Sequence, residues 1–239
     1  MYSNEIKSLC KDLRLGSILT EYEGIIADTQ EEFLYKLLLQ LKERRQVSGI
    51  NRRTRTAGFE VPKFFNDFDF HETVLPAALN IESLSACLPF KAKENLIMYG
   101  RPGTGKTHLA TALGMNAINL GMDVIFRKTS KLINELKADR ELNRQASFWK
   151  RLEKADVLIL DEWGYIPFER TGTQLLFEAI SSCYERKSIV ITTNLPFDEW
   201  NTIFYDEKLT TAILDRVVHH GHLIMHNGPS YRVRHSIMQ

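Results

Sequence analysis

The chain has 239 residues, 44% hydrophobic and 26% charged, and its 31 lysines and arginines against 30 aspartates and glutamates give a formal net charge of +1. That is enough to bury one full α/β core plus a small accessory domain, and a net charge this small argues against a protein that coats nucleic acid. No apolar stretch approaches the roughly 18 residues of a membrane span, Met1-Tyr2-Ser3-Asn4-Glu5 starts no signal peptide, and Cys10, Cys87 and Cys183 are odd in number and far apart, so a cytoplasmic protein with reduced thiols and no membrane partner is expected.

In chain order, Leu9, Leu13 and Leu15, then Phe33, Leu34, Leu37, Leu38 and Leu41, follow helical spacing on either side of a turn near Gly24. They predict a small helical N-terminal domain over residues 1–65, ahead of a nucleotide domain over 66–239. The charge is unevenly spread. Lys42, Arg44, Arg45, Arg52, Arg53 and Arg55 face only Glu43 between positions 42 and 55, the electrostatic footprint of phosphate binding, although a solvated helix end has the same composition.

Asn95-Leu96-Ile97-Met98-Tyr99 reads as a buried strand, and Leu109, Leu113, Ala117 and Leu120 as the apolar face of a helix. Between them stand Gly100, Arg101, Pro102, Gly103, Thr104, Gly105, Lys106 and Thr107, a complete G-x-x-x-x-G-K-T phosphate loop, with His108 following. The glycines let backbone N–H groups turn toward phosphates at a positive helix end. Lys106 is expected on the β- and γ-phosphates and the Thr107 hydroxyl on Mg²⁺. After a strand at 124–127, Arg127, Lys128, Lys131, Lys137 and Arg140 form a second basic set suited to a DNA backbone.

Val157-Leu158-Ile159-Leu160 is a buried-strand run ending in Asp161-Glu162. Asp161 is placed to accept from Mg²⁺-bound water, and Glu162 to orient or deprotonate an attacking water. A third polar point follows the run Ser188 to Thr192, where Thr193-Asn194 end another strand. Asn194 is a candidate for holding that water, or a turn residue with a local hydrogen bond. All three polar points fall at the carboxyl ends of strands, where parallel α/β sheets bind ligands. Strands at 95–99, 124–127, 157–160, 188–192 and 222–226 alternate with helices at 106–120, 130–138, 173–186 and 210–219, which predicts an α/β fold, a parallel sheet with helices on both faces. Asp161-Glu162-Trp163-Gly164 also satisfies the D-x-x-G of GTP-binding switches, but the chain lacks an N-K-x-D-like guanine reader; small-molecule kinases usually lack the aliphatic-Asp-Glu pair and would need an arginine-rich lid. His219, His220, His222 and His226 straddle a helix end and a strand with no thiol nearby, and suit a helix C-terminus better than zinc.

From Asn95 to Arg234 the chain resembles the IstB-type ATP-binding helper proteins of insertion-sequence transposition, relatives of the DnaC helicase loaders and the DnaA initiator in the AAA+ class of P-loop NTPases. The resemblance lies in GRPGTGKTHLA at 100–110, VLILDEWGYIPF at 157–168, LLFEAISSCYER at 175–186, IVITTNLPFDEW at 189–200, AILDRVVHHGH at 212–222 and SYRVR at 230–234, with Asp67-Phe68-Asp69-Phe70 just before the core. Two departures are visible: Trp163 replaces the usual leucine and Thr193 a frequent serine, so the loop after Asp161-Glu162 is expected to pack or meet DNA differently. The resemblance implies an ATPase with ATP and Mg²⁺ that assembles head-to-tail as a homo-oligomer on double-stranded DNA and helps an integrase-type transposase choose its target. It also implies that Arg216 is an arginine finger reaching a neighbouring subunit's γ-phosphate, against a surface salt bridge with Asp215 or Glu207, and makes Arg232 a second nucleotide contact. About forty residues follow Asn194, too few for the separate C-terminal lid of many AAA+ proteins. The same chemistry also fits a DnaC-like helicase loader, and a monomeric phosphotransferase or GTPase is the alternative of a different class.

Overall fold

The computed structural model describes residues 3–13, 15–16, 22–142, 146–165, 167–204 and 206–234. Two compact units meet between Arg52 and Arg53. In the first, α1 (Ser3–Asp12) and a 3₁₀ turn (Tyr22–Gly24) precede α2 (Gln30–Ala57), which runs on into the second unit. The Thr29 hydroxyl accepts from the Glu32 N–H (3.1 Å), while the Glu32 carboxylate accepts from the Asp28 N–H (2.9 Å). These reciprocal bonds satisfy orphan donors and start the helix there.

The unit boundary thus lies within α2, upstream of the expected residue 65. Side chains beyond Arg52 belong to the nucleotide unit: the Arg53 guanidinium bonds Asp123 (3.1 Å), and the Phe59 ring packs on Phe126 with centroids 5.4 Å apart. Downstream come β1 (Thr73–Val74), α3 (Ile81–Ser85), α4 (Leu88–Lys91), β2 (Asn95–Gly100), α5 (Lys106–Asn119), β3 (Val124–Lys128), α6 (Thr129–Glu141), α7 (Ala146–Lys154), β4 (Val157–Trp163), α8 (Arg170–Cys183), β5 (Ser188–Thr193), α9 (Glu207–Val218), β6 (Gly221–His226) and α10 (Tyr231–Arg234). The five expected strands and four expected helices are all present within a few residues. The additions are α3, α4, α7, α10 and the two-residue β1. Among the described residues only the four-residue α10 follows β6, so no helical lid is seen there.

One six-stranded sheet has the order β1-β6-β2-β5-β4-β3, with β1 antiparallel at the edge and every other pair parallel. Its central strands are buried almost without interruption, which is why their sequences are aliphatic runs rather than alternating ones. On one face Ile97, Leu158, Leu160, Ile189 and Ile191 pack with Leu132 and Leu136 of α6, Leu176 and Ile180 of α8, and Ile213 and Val217 of α9. On the other lies α5, so close that a side chain at Gly114 would meet Ile159 at 2.9 Å. Helices therefore cover both faces. The strand order places β5 between β2 and β4, so the tips carrying the phosphate loop, Asp161 and Thr193 stand side by side.

Candidate functional site

The phosphate loop leaves β2 at Gly100 and enters α5 at Lys106. Gly103 and Gly105 hold φ of +80° and +91°, a region L side chains rarely adopt, and each is crowded where a Cβ would sit, Gly103 by Ser230 and Gly105 by the Phe68 ring. Two further contacts fix the loop from the C-terminal side: the Tyr231 N–H donates to the Gly103 carbonyl (2.9 Å), and His226 Nδ1 donates to the Thr104 carbonyl (3.2 Å). A carbonyl only accepts, so His226 carries its proton on Nδ1, and its buried Nε2 has no partner among the described residues. Burial pushes the His226 imidazole down to about 4, so it is neutral at pH 7.

Lys106 is folded back on its own loop. Its Nζ donates to the carbonyls of Gly100 (2.6 Å) and Arg101 (2.8 Å), and the residue is 8% exposed. Burial pushes the ammonium down to about 8; the Asp161 charge opposes that shift and the Arg232 charge adds to it. Arg232 therefore lies within electrostatic reach of the phosphate-binding lysine.

Asp161 is buried at 1% exposure, and one of its oxygens, Oδ1, accepts from both the Thr107 hydroxyl (2.8 Å) and the Thr192 hydroxyl (2.5 Å). Burial raises its pKa, and the Thr192 and Thr107 hydroxyls partly offset this. A buried carboxylate beside a threonine hydroxyl at the head of a phosphate-binding helix is an oxygen donor set suited to a hard divalent cation, whose charge would remove the burial penalty. Thr107 and Asp161 fit Mg²⁺ on that ground. Glu162, next along β4, has φ +57°; its N–H donates to Thr192 Oγ1 (3.1 Å) and its Oε1 lies 3.1 Å from Lys128 Nζ. Lys128 also pairs with Glu60 (3.3 Å). A lysine expected among the DNA contacts thus sits against the residue expected to act on water.

Asn194 is half-buried, one residue beyond Thr193, which pairs with Tyr99 of β2 and Trp163 of β4. Among the described residues its side chain has no hydrogen bond, so the local bond of the alternative turn reading is not made there. Trp163 is wholly buried, its ring 5.0 Å from Trp200 and 5.5 Å from Phe204. The departure from leucine therefore extends an aromatic cluster beneath the site.

Arg216 lies elsewhere. Its guanidinium donates to the Ala212 carbonyl (2.8 Å) and covers the Phe177 ring at 4.9 Å, and among the described residues it has no ion pair with Asp215 or Glu207. Its backbone carbonyl accepts from the side chain of Asn95, the first residue of β2 (3.4 Å). That end of the strand is about 16 Å from the loop end at about 3.3 Å per residue, so Arg216 is well removed from its own chain's phosphate loop. The four histidines disperse to Tyr184, Glu185, Glu94 and Thr104. Donor atoms of Glu185, His219 and His220 lie within 4.8 Å of one another, all on exposed residues. Lys42, Arg44, Arg45, Arg52 and Arg55 are exposed, and Arg44, Arg45 and Arg52 line one groove with Ser48 and Gly49. Lys131 is exposed on α6, whereas Lys137 pairs with Glu169 and Arg127 with Glu135.

Three contributors carry no sign of their contacts in the pattern of the chain. Thr192 looks like any strand threonine, and the contacts of His226 and Ser230 with the loop join positions more than a hundred residues apart. Phe68 had a weak signal, the Asp67-Phe68-Asp69-Phe70 segment.

Lys106 yields a pH test. Its free-site pKa lies near 8, below the ordinary 10.5, and a bound triphosphate favours the ammonium, so above about pH 8 binding must take up a proton and affinity must fall as pH rises. Calorimetry near pH 9 in buffers of different ionisation enthalpy should read uptake of most of one proton per nucleotide. Affinity that stays flat from about pH 7 to about pH 9.5, with no buffer dependence, contradicts the assigned state of Lys106.

Comparison with known proteins agrees with this geometry. The chain matches the family described as IstB-like ATP binding protein over residues 9–238. It is 36% identical to an insertion-sequence ATP-binding protein of Sinorhizobium fredii over 95% of this chain and 78% of the relative, and 34% identical to the IS21 ATP-binding protein of Pseudomonas aeruginosa over 97% and 89%. Among solved structures, AMPPCP-bound DnaA from Aquifex aeolicus superposes with a TM-score of 0.57 at 20% identity over 70% of this chain, which spans about half (51%) of that one. The DnaC helicase loader superposes at 0.50 with 21% identity over 68% of this chain and 95% of the loader. At such identities the two structures share the AAA+ fold with this chain, and the extent of the family match carries the assignment: this chain belongs to the IstB-like ATP-binding protein family.

Proposed function

We propose that the chain is a Mg²⁺-dependent ATPase that assembles head-to-tail on double-stranded DNA and assists an integrase-type transposase in target selection. The observation that carries the hydrolytic part is the pair at the tip of β4: Asp161 bonded to the Thr107 hydroxyl, and Glu162 beside it. In this reading Lys106 leaves the loop carbonyls for the β- and γ-phosphates, Thr107 and Asp161 hold Mg²⁺, which supplies charge to the phosphates, and Glu162 orients and deprotonates water that Asn194 helps to place. Gly100 to His108 form the cradle. Glu162 must first leave Lys128, so the ion pair favours a resting state.

The position of Arg216 supports the assembly. The Arg216 backbone meets the end of β2 far from its own phosphate loop, so in this reading its guanidinium serves phosphoryl transfer from a neighbouring subunit, and repeating that head-to-tail contact gives a ring or a helix. The exposed arginines of α2 would follow the DNA backbone. The names of the similar proteins favour transposition over helicase loading, and a cytoplasmic setting suits three buried cysteines without disulfides and the lack, among the described residues, of any helix long and apolar enough to cross a membrane.

Lys106→Ala is expected to lose nucleotide binding, whereas Glu162→Gln keeps binding and loses turnover by about 10²-fold or more. Arg216→Ala should bind ATP yet hydrolyse it about 10³-fold more slowly, and mixing it with Lys106→Ala should restore part of the activity on DNA. A mixture as inactive as its components, with both variants assembled on DNA, returns Arg216 to a structural role. Wild-type turnover in Glu162→Gln removes Glu162 as the base.

The DNA surface has its own test. Reversing Arg44, Arg45 and Arg52 to glutamate should flatten the plot of log affinity against log salt by about 2.7, at roughly 0.9 per phosphate contact, while ATP binding is kept. Unchanged DNA affinity and slope would place the DNA surface elsewhere.

A further inference from the structure

The pairing of β4 with β5 contains an irregularity at the point where the chemistry is proposed. Leu160 is opposite Ile191, and the next pair in register is Trp163 with Thr193. Two residues of β4, Asp161 and Glu162, therefore stand opposite one residue of β5, Thr192, which is the arrangement of a β-bulge. In a regular strand consecutive side chains point to opposite faces. Here Glu162 takes a left-handed backbone, φ +57°, and both acids serve one end of the sheet: Asp161 meets Thr107 at the head of α5, and Glu162 meets Lys128 at the tip of β3.

Thr192 fills the bulge with its hydroxyl. The residue is 2% exposed, and its Oγ1 makes two bonds of opposite sense, donating its single proton to Asp161 Oδ1 (2.5 Å) and accepting from the Glu162 N–H (3.1 Å). One oxygen thus ties the side chain of the first acid to the backbone of the second. Of the common side chains of this shape, threonine supplies both functions and isosteric valine neither.

We infer that Thr192 is the positioning residue of the hydrolytic centre, holding the Asp161 carboxylate in place for the metal and the Glu162 backbone in the bulge that aims its carboxylate. The inference rests on the proposed roles of Asp161 and Glu162. The Thr192 hydroxyl is taken up by Asp161 and the Glu162 N–H, so it acts through the two acids. A hydroxyl that served only to satisfy a buried acid during folding would alter melting temperature without altering how much Mg²⁺ turnover requires.

The test compares Thr192→Ser, which keeps the hydroxyl, with Thr192→Val, which keeps the shape. In full-length protein on DNA, the serine variant should match wild type within about two-fold, while the valine variant binds ATP normally without metal, binds Mn²⁺ in the nucleotide complex about 10–100-fold more weakly by paramagnetic resonance, and needs correspondingly more Mg²⁺ for half-maximal turnover with a reduced kcat, the usual scale for losing a residue that orients a metal ligand. Should the valine variant melt below the assay temperature, Thr192→Cys, with a weak donor, takes its place and should fall between serine and no hydroxyl. A valine variant with wild-type Mg²⁺ requirement and kcat overturns the inference, and so does a serine variant as impaired as the valine or cysteine one. Glu162→Gln run alongside separates the two levels: if it still turns over, the reading of Glu162 fails, while the shift in Mg²⁺ requirement still decides whether Thr192 holds Asp161.

Discussion

A single buried carboxylate organises the phosphate-loop end of the sheet. Asp161 accepts from a hydroxyl on α5 and a hydroxyl on β5 while its own backbone carbonyl accepts from Thr129 at the start of α6 (2.9 Å), so four elements meet at one residue. Leaving such a group unpaired in the interior would cost more than any one of these bonds contributes, and the bonds are therefore all made. Sheet order does the rest. With β5 inserted between β2 and β4, the phosphate loop, the acidic pair and Asn194 reach the same edge without any long loop to carry them.

The rest of the site is held in a form that opposes its own use. Lys106 is tied to two carbonyls of its loop, and Glu162 is tied to Lys128. Each tie is a polar contact that a triphosphate with its metal can replace by stronger charge-assisted bonds. Placing Arg216 far from its own loop adds a third condition, a neighbour. Nucleotide, metal and a second subunit together would then convert a resting constellation into a working one, which suits a protein whose turnover is meant to follow assembly.

Most of the nucleotide domain could be read from the chain because parallel strands buried on both faces become uninterrupted aliphatic runs, and β2, β4 and β5 each end in a polar group at the expected tip. The features that escaped are those whose cause is tertiary. Among its described side chains helix α7 buries Phe148, Leu152 and part of Trp149, and it is too short to signal itself. The change of partners near Arg52 lies within α2, which continues from Gln30 to Ala57 through Gly49 without a break, so no loop in the sequence marks it. Lys128 was grouped with surface cations because its neighbours Glu60 and Glu162 are far away in sequence. Thr192 was invisible for a simpler reason: β-branched residues are what a buried strand prefers, so nothing distinguished a functional hydroxyl from a structural one.

Metal binding at Asp161 tests the central claim most directly, because the fold has brought three strand tips and a helix terminus together around that carboxylate. Mn²⁺ can stand in for Mg²⁺ and be followed by paramagnetic resonance. Wild-type protein should bind one Mn²⁺ tightly only when nucleotide is present, and Asp161→Asn should weaken that metal by about 10–100-fold while binding nucleotide unchanged in the absence of metal. An Asp161→Asn protein that retained wild-type Mn²⁺ affinity in the nucleotide complex would contradict the account, because the residue on which the site converges would then not be holding the ion.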